Sequence, residues 1–319
     1  MKKFGLFSLV FTMLFLLAAC GGKEEASTTA STEGETTEEE SKEVTITHEY
    51  GEVTVEKSPK KVVVFDFGVL DTLDAFGVEV AGVPQATVPK SLEKYAGSEY
   101  TNVGGLKEPD FEAIHHLEPD VIFISGRQAE LYDQFAEIAP TVFIDVDYTN
   151  YMSSLEKNFE LLAEIFEKED VLASKVEELK ASIDEVNKEA SASESKALIL
   201  LANEGKVSAY GPGSRYGFVH DAFGFKAVDE NLEVSQHGQS ITFEYILEKN
   251  PDVIFVIDRS AAVGGEVGAK ETIENELVKK TNAYKNGKII YLDAVNWYIA
   301  GNGVQSTQLM IEEVKAALK

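Results

Sequence analysis

The sequence predicts an α/β protein of two lobes, each with a central, mostly parallel sheet flanked by helices, joined by one long α-helix. Three observations predict it. The phrase Pro119-Asp120-Val121-Ile122-Phe123-Ile124-Ser125-Gly126-Arg127 is answered by Pro251-Asp252-Val253-Ile254-Phe255-Val256-Ile257-Asp258-Arg259, and the match of 110–127 to 242–259 has nine identities in 18 positions without a gap. Unbroken apolar runs such as Val-Ile-Phe-Ile suit strands covered on both faces, as in a parallel sheet between helices. Between the two copies Leu172, Val176, Leu179, Ile183 and Val186 step by four and three, which makes one apolar stripe on a helix whose other faces are charged.

The chain opens with Lys2-Lys3, an apolar run from Phe4 to Ala19, and Leu17-Ala18-Ala19-Cys20. A short basic start, an apolar stretch and a small-residue cleavage site describe an export signal over 1–19, too short for a membrane span. Leu-Ala-Ala-Cys resembles a bacterial lipobox, which implies cleavage before Cys20 and lipid attachment to its sulfur. Cys20 is the only cysteine, so no internal disulfide is possible. Residues 20–43 are Ser, Thr, Gly, Glu and Ala with eight glutamates against two lysines. Such a stretch repels itself and buries no core. It reads as a disordered tether with a root-mean-square reach of about 25–30 Å.

The N-terminal lobe is expected over 44–168. Lys61 to Phe65 reads as a strand that runs through Asp66-Phe67-Gly68 into a helix carrying Leu70, Leu73 and Phe76, stopped at Gly77. The first repeat copy adds a short helix, a Pro-Asp turn, a strand and a loop ending in Arg127; Thr141 to Ile144 is a further strand. The connecting helix occupies 169–191, about 22 residues and about 33 Å long at 1.5 Å per residue. The C-terminal lobe is expected over 192–319, with strands at Ala197–Leu201 and Lys288–Leu292, the second repeat copy between them, and an amphipathic helix from Gln305 to Leu318.

A net charge of −26 argues against nucleic acid and anionic lipid heads as partners. Against 26 lysines there are only three arginines. Arg127 and Arg259 end the repeated phrase, in loops leaving the carboxyl ends of buried strands, where open α/β sheets bind ligands. Arg215 closes the turn Gly211-Pro212-Gly213-Ser214-Arg215. Fork-shaped, permanently charged guanidiniums at such positions describe an anion site. Candidate aromatic partners are Tyr216, Trp297 and Tyr298, with Tyr210 as a weaker candidate. Glu112 and Glu244 hold equivalent places in the repeat, each at the start of a helix, where a carboxylate also meets the helix dipole favourably.

The five histidines show no ligand spacing, and the neighbours His115 and His116 point to different faces of a helix. Gly211-Pro212-Gly213-Ser214 lacks the Gly-x-Ser-x-Gly elbow of a hydrolase. Val263-Gly264-Gly265 lacks the Lys-Ser or Lys-Thr pair of a phosphate loop. No enzyme and no cofactor are expected.

Taken together, the lipobox, Val103-Gly104-Gly105-Leu106 followed by Glu108-Pro109-Asp110-Phe111-Glu112, the two Pro-Asp-Val-Ile-Phe strands and the single long helix resemble the substrate-binding lipoproteins of ATP-driven iron-siderophore importers. The resemblance covers Cys20 to Lys319. It implies two lobes that move little, because a helix resists hinge bending. It implies a ferric catecholate-type ligand, petrobactin (a mixed catecholate–citrate siderophore) foremost, held by a basic triad that falls on Arg127, Arg215 and Arg259. It also implies docking on an ABC permease, served by its ATPase, through Glu112 and Glu244, by a monomer lipid-anchored at Cys20 on the outer face of the cell membrane, in a Gram-positive bacterium. Two alternatives of the same fold remain: direct zinc or manganese binding, and a haem or corrinoid carrier.

Overall fold

Alternation sets the first element: Val44 and Ile46 are buried while Glu43, Thr45 and Thr47 are exposed. Strand β1 (Glu43–His48) pairs antiparallel with β2 (Gly51–Glu56) across the turn Glu49-Tyr50. Glu43, expected to end the tether, therefore opens a strand. The computed structural model describes residues 42–319. The export signal, Cys20 and the tether up to residue 41 lie outside the described residues.

Five short strands follow in the N-terminal lobe: β3 (Val62–Val64), β4 (Gly82–Val83), β5 (Thr101–Asn102), β6 (Val121–Ile124) and β7 (Thr141–Phe143). Their order is β5-β4-β3-β6-β7 and every pair is parallel. All residues of β3 and β6 are buried, as continuous apolar runs require. In the C-terminal lobe β8 (Lys196–Asn203), β9 (Lys206–Tyr210), β10 (Lys226–Ala227), β11 (Gln239–Ile241), β12 (Val253–Asp258) and β13 (Ile289–Leu292) form the second sheet. Its order is β11-β9-β8-β12-β13, with β10 also on β8. The pairs of β8 with β10 and β12, and of β12 with β13, are parallel; β9 runs antiparallel to β8 and β11.

The duplication is structural. The strand β6 lies between β3 and β7, and β12 lies between β8 and β13. Each is preceded by a seven-residue helix, Phe111–Leu117 and Phe243–Lys249, capped by Asp110 and Thr242 respectively. Both helices stop at a left-handed residue, Glu118 and Asn250. The repeated Pro-Asp has a physical reason. Asp120 accepts from the amides of Lys60 and Lys61 just before β3, and Asp252 accepts from the amide of Lys196 at the start of β8. One carboxylate per lobe thus ties neighbouring parallel strands at their starts.

The connecting helix spans Glu169–Ala192, 24 residues, and buries Leu172, Leu179, Ile183, Val186 and Ala190. Val176, on the same stripe, is half-buried against the core. The terminal helix is shorter than expected, Val304–Val314, and ends in a 3₁₀ turn, Lys315–Leu318. It packs against both the connecting helix and the N-terminal-lobe helix Phe67–Ala75, so it is a second link between the lobes.

Candidate functional site

Between β13 and the terminal helix the chain forms one π-helical turn, Asn296–Ala300. Such turns are rare and occur disproportionately at functional sites. This one carries Trp297 and Tyr298, and all three arginines of the chain converge on Tyr298. Arg127 and Arg215, one from each lobe, both donate to its backbone carbonyl. The Arg259 Nε donates to its phenol oxygen at 2.8 Å. The three guanidinium carbons lie 5.9, 4.9 and 5.5 Å from the centre of its ring.

Each arginine is delivered by its own local structure. Arg127 follows β6 in a turn held by Gln128, which is fully buried; its Oε1 accepts from the Ser125 amide and its Nε2 donates to the Leu106 carbonyl. Arg215 leaves a turn in which the Ser214 hydroxyl donates to the Gly211 carbonyl. That turn is so tight that a Cβ on Gly217 would come within 2.6 Å of the same carbonyl. Arg259 opens the helix Arg259–Val263 directly after β12, and its Nη1 donates to Asn203 Oδ1 at 2.7 Å.

Among the described residues none of the three arginines forms an ion pair with a carboxylate. Their acceptors are carbonyls, an amide oxygen and one phenol. Guanidiniums gathered in a low-dielectric cleft without counter-ions attract an anion. Burial alone would push the Tyr298 phenol up. The hydrogen bond from Arg259 and the charge of all three guanidiniums outweigh it and hold the phenol below the ordinary tyrosine value.

A cleft of about 530 Å³ opens here, with Arg127, Arg215, Tyr216, Trp297 and Tyr298 among its lining. Arg259 is not on the cleft wall and is joined to it through Tyr298. Asp66, Glu130 and Asp145 also line the cleft. Tyr216 is 2 % exposed, and its phenol oxygen is buried with no hydrogen-bond partner among the described residues. Trp297 is equally buried; it stacks on Phe218, which stacks in turn on Tyr151, and its Nε1 donates to Glu313. Both aromatics therefore form the floor of the cleft, and of the expected set only Tyr298 stands half-exposed in it. Tyr210 is buried edge-on against Tyr216, off the wall, and burial pushes its phenol up to about 12.

The residues that the sequence did not single out are Asn203, Gln128 and Glu313. Asn203 carries a readable signal, an Asn-Glu-Gly-Lys turn between two apolar runs. Glu112 and Glu244 lie in the first turns of the two repeated helices, both exposed. Among the described residues no group of three or more His, Cys, Asp or Glu side chains is placed to hold a metal ion.

A family profile described as periplasmic binding protein matches residues 62–295. The petrobactin-binding protein YclQ of Bacillus subtilis is 44% identical over 323 residues, all of both chains. Its crystal structure superposes with a TM-score of 0.85, covering 88% of this chain and 99% of that one at 46% identity. The ferric-anguibactin-binding protein FatB of Vibrio anguillarum is 34% identical over 277 residues, 85% of this chain and 86% of that one. The periplasmic catecholate-siderophore binding protein VctP of Vibrio cholerae superposes with a TM-score of 0.78, at 37% identity over 86% of this chain and 99% of that one.

Proposed function

Because the chain belongs to the periplasmic binding protein family, whose members bind solutes and are not enzymes, we propose that it captures a ferric catecholate siderophore for an ABC importer, with petrobactin the ligand to test first. The observation that carries this reading is the convergence of three arginines, from both lobes and without carboxylate partners among the described residues, on one cleft residue. A ferric catecholate complex is anionic and presents flat aromatic rings. Arginine meets both features, since its planar fork bonds phenolate oxygens and stacks on rings. The names of the relatives support the same class of ligand.

Arg127 and Arg215, the two arginines on the cleft wall, at about 1.5–3 kcal/mol each give about 3–6 kcal/mol before desolvation, with Arg259 acting through Tyr298. That falls short of micromolar affinity. In this reading Tyr298 supplies ring contact, and the remainder is apolar packing on the floor formed by Tyr216 and Trp297. Glu112 and Glu244, one per lobe on equivalent helices, would dock on the permease, and Cys20 would anchor a monomer at the outer face of the membrane.

The test is a titration followed through Trp297, the only tryptophan, with ferric petrobactin, ferric enterobactin and ferrichrome. Submicromolar quenching by a catecholate complex is expected. Submicromolar quenching by ferrichrome with none by the catecholates overturns the reading. Alanine at Arg127 or Arg215 should weaken binding about tenfold to 100-fold with the fold retained; an unfolded variant would make that arginine structural.

A further inference from the structure

The terminal helix Val304–Val314 caps itself only in part, the Ser306 hydroxyl accepting from the Gly303 amide at 2.9 Å. Its N-cap is Gly303, which carries no side chain, and the first helical amides must find acceptors elsewhere. They find them in the other lobe. The Val304 amide donates to Thr72 Oγ1, and the amides of Gln305 and Ser306 donate to Asp71 Oδ2 at 2.7 and 2.9 Å. The Ser306 hydroxyl is within 3.3 Å of the same oxygen. Asp71 and Thr72 belong to the helix Phe67–Ala75, whose first residues line the cleft.

Two glycines permit this approach. A Cβ on Gly68 would lie 2.6 Å from the Gly301 carbonyl, and one on Gly303 would collide with the Asp71 carboxylate and the Gly68 carbonyl. The π turn bearing Tyr298 rides on the same helix. Asn296 Nδ2 donates to the Ser306 carbonyl, and Glu313 accepts from Trp297 Nε1 and the Asp293 amide. Ser306 therefore faces Asp71 with its amide and hydroxyl and Asn296 with its carbonyl. A continuous hydrogen-bonded path runs from the N-terminal lobe to the turn that presents Tyr298.

We propose that Asp71 is a positioning residue of the ligand cleft: it caps the terminal helix from the opposite lobe and thereby fixes Tyr298 where Arg127, Arg215 and Arg259 meet. That the cleft holds an anionic ligand rests on the function proposed above; the placement of Tyr298 does not, and the two are tested by separate readouts.

The ligand-free readout is the ionisation of the Tyr298 phenol, taken as the tyrosinate absorbance difference between each protein and its Tyr298→Phe counterpart. The arginines hold this phenol below the ordinary tyrosine value. In Asp71→Ala, which removes the acceptor, its midpoint should rise toward that value, because the guanidiniums no longer converge on it. An unchanged midpoint in folded Asp71→Ala overturns the proposal. The second readout is affinity for ferric petrobactin. Asp71→Ala should weaken it about fivefold to tenfold, and the loss should shrink to under about twofold in an Arg215→Ala background, since coupled residues are not additive. An equal loss in both backgrounds means a structural cap only and also overturns the proposal. Should Asp71→Ala not fold, Ser306→Ala loosens the same tie from the other side and is read by the same phenol titration. Absence of catecholate binding to the unmodified protein would defeat the proposed ligand and leave the phenol titration to decide on Asp71.

Discussion

Tyr298 gives the three arginines two kinds of acceptor, and this decides what each one needs from its neighbours. Arg127 and Arg215 share a backbone carbonyl, which stays in place whatever the side chain does. Arg259 depends on a phenol and on Asn203, so its aim is set by side chains alone. Asn203→Ala should let Arg259 swing while sparing the other two. A hydrogen bond to a charged group contributes about 1.5–3 kcal/mol; with the Tyr298 phenol still holding Arg259, loss of part of it predicts affinity for ferric petrobactin about fivefold to tenfold weaker. The Trp297 titration checks it, and unchanged affinity would show that Tyr298 alone holds Arg259. The Asn-Glu-Gly-Lys turn after β8 is readable in the sequence, but that Asn203 meets Arg259, 56 residues on, is set by the pairing of β8 with β12. The arginines themselves were legible: two through the repeat, and Arg215 through family resemblance alone. The aromatics were legible as types but not as roles, since burial at the floor and exposure in the cleft look alike in a sequence.

At the scale of elements, periodicity and repetition were enough to locate the central parallel strands of the two sheets and the connecting helix, because strand runs and an apolar stripe are local signals. The cap of the terminal helix was not legible, for its acceptor lies 234 residues away from the amide it binds. That cap has a consequence for stability. Burial raises the Asp71 carboxyl from 3.8 to about 6, against the opposing hydrogen bonds from Ser306 and Gln305. The charged group facing it is Asp74 on its own helix, itself paired with Lys94; the terminal helix brings only the neutral Gln305 and Ser306. A carboxyl whose folded value is raised favours the folded state when protonated. Its contribution is fully present below about pH 4 and is lost as pH rises through about 6. Relative to Asp71→Asn, the unmodified protein should therefore gain stability on acidification from pH 7.5 to 4.5, by at most about 3 kcal/mol. Urea unfolding of both proteins at the two pH values measures it. A difference that stays constant or shrinks on acidification would show that the carboxyl is not protonated in the folded state over this range.

For the molecule as a whole, the cleft must attract an anion from within a strongly anionic protein. The chain carries a net charge of −26, and its only arginines are the three around Tyr298. Which of these fields an approaching ligand feels depends on ionic strength. At about 0.01 M salt the screening length is about 30 Å, so the ligand meets the charge of the whole protein before it reaches the cleft; at about 0.15 M it is about 8 Å and only the charges at the cleft act, the arginines and Lys107 against Asp66, Glu130 and Asp145. The association rate of an anionic ferric catecholate, followed by stopped-flow quenching of Trp297, should therefore rise between these two concentrations. An uncharged complex that binds the same cleft should show little change, which separates screening from any effect of salt on the fold. A rate for the anionic complex that falls steadily from the lowest salt would mean that the arginine field already dominates at long range, and that the acidic surface is arranged away from the ligand's path.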